Sequence, residues 1–250
     1  MIAEQIFGLE KQLDPFFARL QLRDTLGLDE KRAIIQSARD RLHFSSGEDL
    51  VVEGDRPMRC VLVTSGFACR YRLLPSGERQ IMAIHLPGDF VDLHSFLLKE
   101  MDHSVGALTE CTAVGFPHES LLQVTERFPH LTRMLWLMTL IDAAGHREWL
   151  IGLGLLSAPQ RTARLFCEIY KRLEIVGLAR DHEFRFPVTQ VAMGDALGIS
   201  AVHVNRVVQE LRQQDLITWE RGTVRILDWS RLVATGQFSD RYLHLVREPR

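Results

Sequence analysis

The sequence predicts an α+β chain made of an antiparallel β-roll, a long helix, and a C-terminal module of short helices closed by a β-hairpin. Three observations carry this. Short β-rich runs between 44 and 117 are punctuated by Gly47, Gly54, Gly66, Gly77 and Gly88. A helical apolar stripe follows, from 129 to 156. Residues 189–226 then read as helix, glycine turn, helix and hairpin. A chain of 250 residues holds two modest domains, and 46% hydrophobic with 25% charged residues is a globular composition rather than a disordered or fibrous one.

Taken in order, Asp29–Leu42 predicts a helix, with acidic residues in its first turn and Arg39 and Arg41 near its end. The β-rich runs are "VLVT", "CRYRLL" and "RQIMAIHL", separated by Ser65-Gly66, Pro75-Ser76-Gly77 and Pro87-Gly88-Asp89. Glycine at such turns supplies the positive φ they need, and the recurrence argues for a many-stranded antiparallel roll. From His118 the period becomes helical. Leu131, Met134, Met138, Ile141, Gly145 and Trp149 fall on one stripe, and a long helix with such a stripe pairs with a second helix. These six residues are therefore the expected interface of a homodimer. Ser157 and Pro159 open the next helix. The expected division is 1–118 for the roll with N-terminal helices, 119–156 for the long dimerisation helix, 157–227 for the C-terminal module, and 228–250 for a tail in which "WSRLVATG" is one more short helix.

The C-terminal module is the most informative part. Thr189 caps "QVAMGDAL", Gly198 ends it, Ile199 is the expected buried turn residue, and Ser200 caps "AVHVNRVVQELRQQ". Val191, Ala192 and Leu197 are expected to face Val204, Val207, Val208 and Leu211. Two short helices joined by a tight glycine turn form a helix-turn-helix, whose second helix enters the DNA major groove. Its outward residues are then base readers (Val202, His203 and Arg206), with Arg206 able to donate two hydrogen bonds to guanine. Thr189, Gln190, Ser200, Asn205 and Gln209 are phosphate contacts at helix N-termini and on the outer face. "LITWE" and "TVRIL" around Arg221-Gly222 form a hairpin wing, with Arg221 a further phosphate contact. Charge agrees in sign: residues 157–250 hold 14 basic and 11 acidic side chains, while 1–156 hold 16 and 21.

A glycine-punctuated roll, a long helix and a winged helix-turn-helix in this order resemble the Crp/Fnr family, that of the catabolite activator protein and the fumarate-nitrate regulator. The stretches that carry the resemblance are Pro87-Gly88-Asp89-Phe90 and "GDALGISAVHVNRVVQEL", and it extends from about 20 to 227. It implies a cyclic-nucleotide-binding-like jelly roll and a dimeric regulator on a palindromic DNA site. The implied partners are double-stranded DNA, RNA polymerase, a second copy of the chain and a small-molecule effector.

The chain departs from the family's ligand pattern. Alignment on Gly88-Asp89-Phe90 puts Leu93 where cyclic-nucleotide members use a ribose-binding Glu, and His103-Ser104 where they use a phosphate-binding Arg-Ser pair. His146 and Arg147 fall near the adenine position. Leu93 accepts no hydrogen bond, and a histidine lacks the guanidinium fork, so cyclic AMP is not the expected effector. Leu93, His94, His103, Ser104, His146 and Arg147 remain the candidate effector pocket. No cysteine precedes Cys60, which excludes an N-terminal iron–sulfur cluster. His94 stands where the family's haem-dependent sensors carry an axial histidine, which makes a haem- or redox-linked gas sensor the alternative reading. No cofactor or metal is otherwise expected. At the start of the recognition helix Ala201-Val202 replace the family's base-reading arginine–glutamate pair.

No enzyme is expected. Asp102, His103 and Ser104 are consecutive, so in an extended segment their side chains alternate faces and make no triad. Cys60, Cys69, Cys111 and Cys167 show no C-x-x-C pairing and are expected to pack as reduced thiols. Met1–Leu20 is interrupted by Glu4, Glu10, Lys11 and Asp14, so it is no signal peptide, and no apolar run is long enough to span a membrane. A cytoplasmic protein follows as the expectation.

Overall fold

A computed structural model describes residues 2–250, with side chains from Gly8 onward. Helices α1 (Ile2–Gln21) and α2 (Leu28–Ser37) precede the strands. Seven strands follow: β1 (Arg41–Phe44), β2 (Asp49–Val51), β3 (Arg59–Ser65), β4 (Ala68–Leu73), β5 (Arg79–His85), β6 (Ser104–Ala107) and β7 (Cys111–Pro117). A one-turn helix, α3 (Ser95–Leu98), interrupts them. The strands form two sheets, one ordered β1-β7-β3 and the other β2-β6-β4-β5. Helices α4 (His118–Arg127) and α5 (Pro129–Leu155) come next. The remaining chain runs α6 (Ala158–Ile175), β8 (Ala179–Arg180), β9 (Glu183–Arg185), α7 (Gln190–Leu197), α8 (Ala201–Gln213), β10 (Ile217–Glu220), β11 (Thr223–Ile226) and α9 (Trp229–Gly236). The chain resolves into two compact units. The first takes 1–70, 84–142 and 244–250; the second takes 71–83 and 143–243. Among the described residues, no helix is long and apolar enough to cross a membrane.

The first unit is built on the two-residue alternation of β3. Val61 and Val63 point into the roll with Ala68, Val91, Met101, Val105 and Ala113. Cys60 and Leu62 point the other way, onto a second core that takes Leu13, Phe16 and Leu20 from α1, Ile34 from α2, Leu121 from α4 and Leu131 from α5. This strand is buried on both faces, which is why it reads as a continuous apolar run. Gly47, Gly54, Gly66, Gly77 and Gly88 all have φ between 83° and 89°. Gly88 has a second constraint, since a Cβ there would lie 2.7 Å from the carbonyl carbon of Pro15 in α1. The next residue completes the contact: Asp89 Oδ2 accepts from the Leu86 amide at 2.7 Å, and its Oδ1 lies 3.1 Å from the Arg19 guanidinium, with both side chains buried. The four cysteines are buried and, among the described residues, in no disulfide.

Several expectations change. The helix expected over 29–42 ends at Ser37, and Arg41–Phe44 is a strand paired with β7 from Arg41↔Val114 to Phe44↔Cys111. That pairing is long-range and leaves no mark on local composition. The stretch 119–156 is two helices rather than one. Phe128 breaks it, at φ −124° and ψ 81°, because a residue before proline is driven out of the α region. Leu131 and Met134, expected to face a second chain, are wholly buried in the core of their own chain, with Leu135 beside them and Met138 packed against it. Ile141 is buried as well. Trp149 is engaged inside the second unit, its indole N–H donating to Glu168 Oε2 at 2.9 Å.

Candidate nucleic-acid interface and roll pocket

In the second unit, α7 and α8 form the expected helix-turn-helix. Thr189 Oγ1 accepts from the Ala192 amide and Ser200 Oγ from the His203 amide, each at 3.2 Å, so both caps form. Gly198 closes α7 in the left-handed region at φ 64°. Gly194 lets the helices close, since a Cβ there would lie 2.5 Å from the Ile199 carbonyl oxygen. Ala192, Met193, Ala196 and Leu197 of α7 and Val204, Val207, Val208 and Leu211 of α8 are all buried. Val191, expected among them, is exposed, and Ile199 is only half-buried. A 3.6-residue period places Val191 a turn-edge away from the Ala192–Ala196 row.

The outward face of α8 carries Val202, 74% exposed, with Asn205, Arg206 and Gln209; Ala201 and His203 are half-buried. Among the described residues, the Arg206 guanidinium has no hydrogen-bond or ion-pair partner. Neighbouring cations differ: Arg212 pairs with Glu220 at 2.9 Å and Arg225 with Glu183 at 2.6 Å. Asn205 Nδ2 donates to Gln190 Oε1 at 3.4 Å, joining two expected phosphate contacts across the motif. The wing is β10 and β11 in a sheet ordered β10-β11-β9-β8. Glu220 pairs with Thr223, so the turn is the two residues Arg221 and Gly222, at φ 50° and 73°. Two successive positive φ values mark the primed turn that matches strand twist. Arg221 is exposed at its tip.

Elsewhere in the second unit, Asp195 on α7 is held from residues 79 and 80. Arg79 donates to its Oδ2 at 2.7 Å, and Gln80 Nε2 donates to its carbonyl oxygen at 2.8 Å.

In the first unit, the expected pocket residues part company. His94 and His103 come together, with ring centroids 5.0 Å apart. His103 Nδ1 lies 2.6 Å from Asp102 Oδ1, so this consecutive pair does form a hydrogen bond. The segment turns there instead of running straight, as strand alternation had led one to expect. Ser104 turns away and its Oγ accepts from the Glu53 amide at 3.0 Å. Leu93 packs against the helix-side core. His146 and Arg147 stand on the part of α5 that groups with the second unit. Sequence reading missed Arg70 and Asp142. Arg70 is buried, its Nη1 bonded to Asp142 Oδ2 at 2.8 Å and its Nη2 to the Val91 carbonyl at 3.2 Å. The partners lie 72 residues apart, and no local pattern announces them.

These neighbours set the charge states. Burial, then the Arg70 and His103 charges, push His94 down to about 4. Burial and Arg70 also lower His103, against the pull of Asp102. Burial raises Asp102, but the His103 hydrogen bond and charge outweigh it and leave the carboxyl below its usual value. Asp92, wholly buried and accepting from the Val61 amide at 2.6 Å, is raised by burial to about 7.

Comparison with known proteins agrees with this geometry. The family model for the cyclic nucleotide-binding domain matches residues 41–128, and that for the Crp-like helix-turn-helix domain matches 160–235. The chain is 26% identical over 216 residues to the transcriptional activator protein FnrL of Cereibacter sphaeroides, covering 84% of this chain and 86% of that one. It is 29% identical over 199 residues to the nitrogen fixation regulation protein FixK of Bradyrhizobium diazoefficiens, covering 78% and 81%. The structure is similar to that of FixK2 from Bradyrhizobium japonicum, with a TM-score of 0.72 at 24% identity over 79% of this chain and 96% of that one.

Proposed function

Given that the chain belongs to the Crp/Fnr family of DNA-binding transcription regulators, we propose that it binds a two-fold palindromic site as a homodimer and acts there on RNA polymerase. The observation that carries this reading is the unpaired Arg206 guanidinium on the outward face of α8. An arginine without an ion-pair partner among the described residues keeps its donor fork for guanine, while Val202 and His203 flank it for the adjoining bases. Thr189 and Ser200 use their oxygens for capping, so toward phosphate they offer the hydroxyl hydrogen and first-turn amides. Gln190, Asn205, Gln209 and Arg221 complete the backbone contacts.

The functional division we propose keeps 1–118 as the effector-binding part, 157–227 as the reader and 228–250 as the tail, with dimerisation assigned to α5 within 119–156. The dimer face we assign is another side of α5 than the stripe read from the sequence. Trp136 and Leu140 are exposed, and helical geometry puts them opposite Leu131 and Met134 within the first unit. The effector we expect is not a cyclic phosphate: His103 offers no guanidinium fork to an anion, and burial with the Arg70 charge lowers both His94 and His103.

Selection from random duplex DNA at fixed salt, with the purified chain free of added ligand, tests the reading. Recovery of a palindrome with half-sites about one helical turn apart is expected. A dimeric, folded chain that enriches no sequence, alone or with ligands supplied, refutes sequence-specific binding.

A further inference from the structure

We propose that the Nε2 atoms of His94 and His103 hold one divalent transition-metal ion of the zinc or cobalt type, with Asp102 orienting His103 from its other side. One nitrogen of each ring and one Asp102 oxygen lie within 4.8 Å of one another. The Nε2 atoms of His94 and His103 are buried and, among the described residues, without a hydrogen-bond partner. His103 itself is only 6% exposed. A buried polar nitrogen left unpaired is destabilising, and here two of them belong to adjacent rings.

The tautomer suits a ligand. With Nδ1–H of His103 donating to Asp102, the lone pair stands on Nε2. A carboxylate behind an imidazole in this way orients metal-bound histidines and raises their basicity. Imidazole ligands favour zinc, cobalt, nickel or copper over calcium or magnesium. A tetrahedral zinc with Zn–N distances of about 2.0–2.1 Å holds its ligands roughly 3.3 Å apart, and water fills the positions that the two rings leave open. Electrostatics tolerate the ion. Arg70 is nearby, but Asp142 pairs with it, and Asp102 adds a second negative charge. Two rings at 5.0 Å accommodate a small ion between them better than a macrocycle on one. The inference concerns the roll alone and stands apart from the DNA reading.

The test uses the full-length, unaltered chain, stripped with chelator and titrated with Co2+. Uptake of one equivalent is expected, with visible d–d absorption and no intense near-ultraviolet thiolate band. Asp102→Asn, at a carboxylate 76% exposed and safe for folding, is expected to weaken binding about 10–100-fold; His94→Gln is expected to weaken it at least tenfold. Side-chain 15N spectra of the unaltered chain need no folded variant, and Zn2+ should move the Nε2 resonances of His94 and His103. Sub-stoichiometric uptake, a thiolate band, unmoved histidine resonances, or unchanged affinity in both variants each overturns the site.

Discussion

At the scale of single residues, Asp92 and His94 oppose each other in acid. Asp92 binds its proton more tightly folded than unfolded, since burial lifts it from the ordinary 3.8 to about 7. Its contribution is therefore full below pH ~4 and is lost as pH rises through about 7. His94 is depressed to about 4, so its contribution is full above pH ~6.5 and lost as pH falls toward 4. Asp92→Asn should remove the first trend. Relative to the parent, its unfolding free energy by urea is expected to improve by on the order of 2–4 kcal/mol between pH 4.5 and 8. An unchanged difference at the two pH values would show that Asp92 is not the buried acid. The same scale governs the reader. Arg206→Ala is expected to cost about 1–3 kcal/mol on the selected site and to relax one base position; equal losses on random DNA, measured by fluorescence anisotropy, would sink base reading. Residues of these two kinds were unequally legible. Thr189, Ser200 and Gly198 announce themselves by spacing within a few residues, because capping is local. The Arg70–Asp142 pair joins a strand to a helix 72 residues away, and the Asp102–His103 bond needs a bend that neither residue announces, so single-residue chemistry encodes neither.

Elements repeat the contrast. α7, α8 and the wing were readable almost residue by residue, since each is bounded by its own cap, glycine or two-residue turn. β1 was not: Arg41–Phe44 looks like the end of a helix and becomes a strand only because β7 offers it a partner. The wing turn carries its own prediction. Arg221 holds φ 50°, a left-handed conformation that asparagine tolerates better than arginine. Arg221→Asn should therefore leave the hairpin intact and raise stability by up to about 1 kcal/mol. It should also weaken all DNA sequences alike, and the slope of log affinity against log salt should shrink by about 0.9. A less stable variant with an unaltered slope would mean that the turn prefers arginine for reasons of packing and that phosphate does not reach it.

At the scale of the whole molecule, the decisive question is which side of α5 would meet a second copy in the proposed dimer. The helix is apolar on two sides, so an apolar stripe cannot by itself name the dimer face. Leu131 and Met134 are consumed by the core of their own chain, whereas Trp136 is 65% and Leu140 52% exposed. On a two-fold axis each residue near the centre of the face approaches its own counterpart, so Leu140→Glu sets two carboxylates against each other in a desolvated seam. Burying like charges there is costly, while the isolated chain already carries Leu140 in water and should fold unchanged. Sedimentation of Leu140→Glu is expected to show a monomer at micromolar concentration, with binding to a full palindrome no tighter than to a half-site. Leu131→Ala should behave in the opposite way, losing about 2–5 kcal/mol of stability while remaining a dimer below its melting temperature. If Leu140→Glu stays dimeric and a folded Leu131→Ala dissociates, the interface lies on the stripe first suggested by the sequence, and the core built on Leu131 must open when two chains meet.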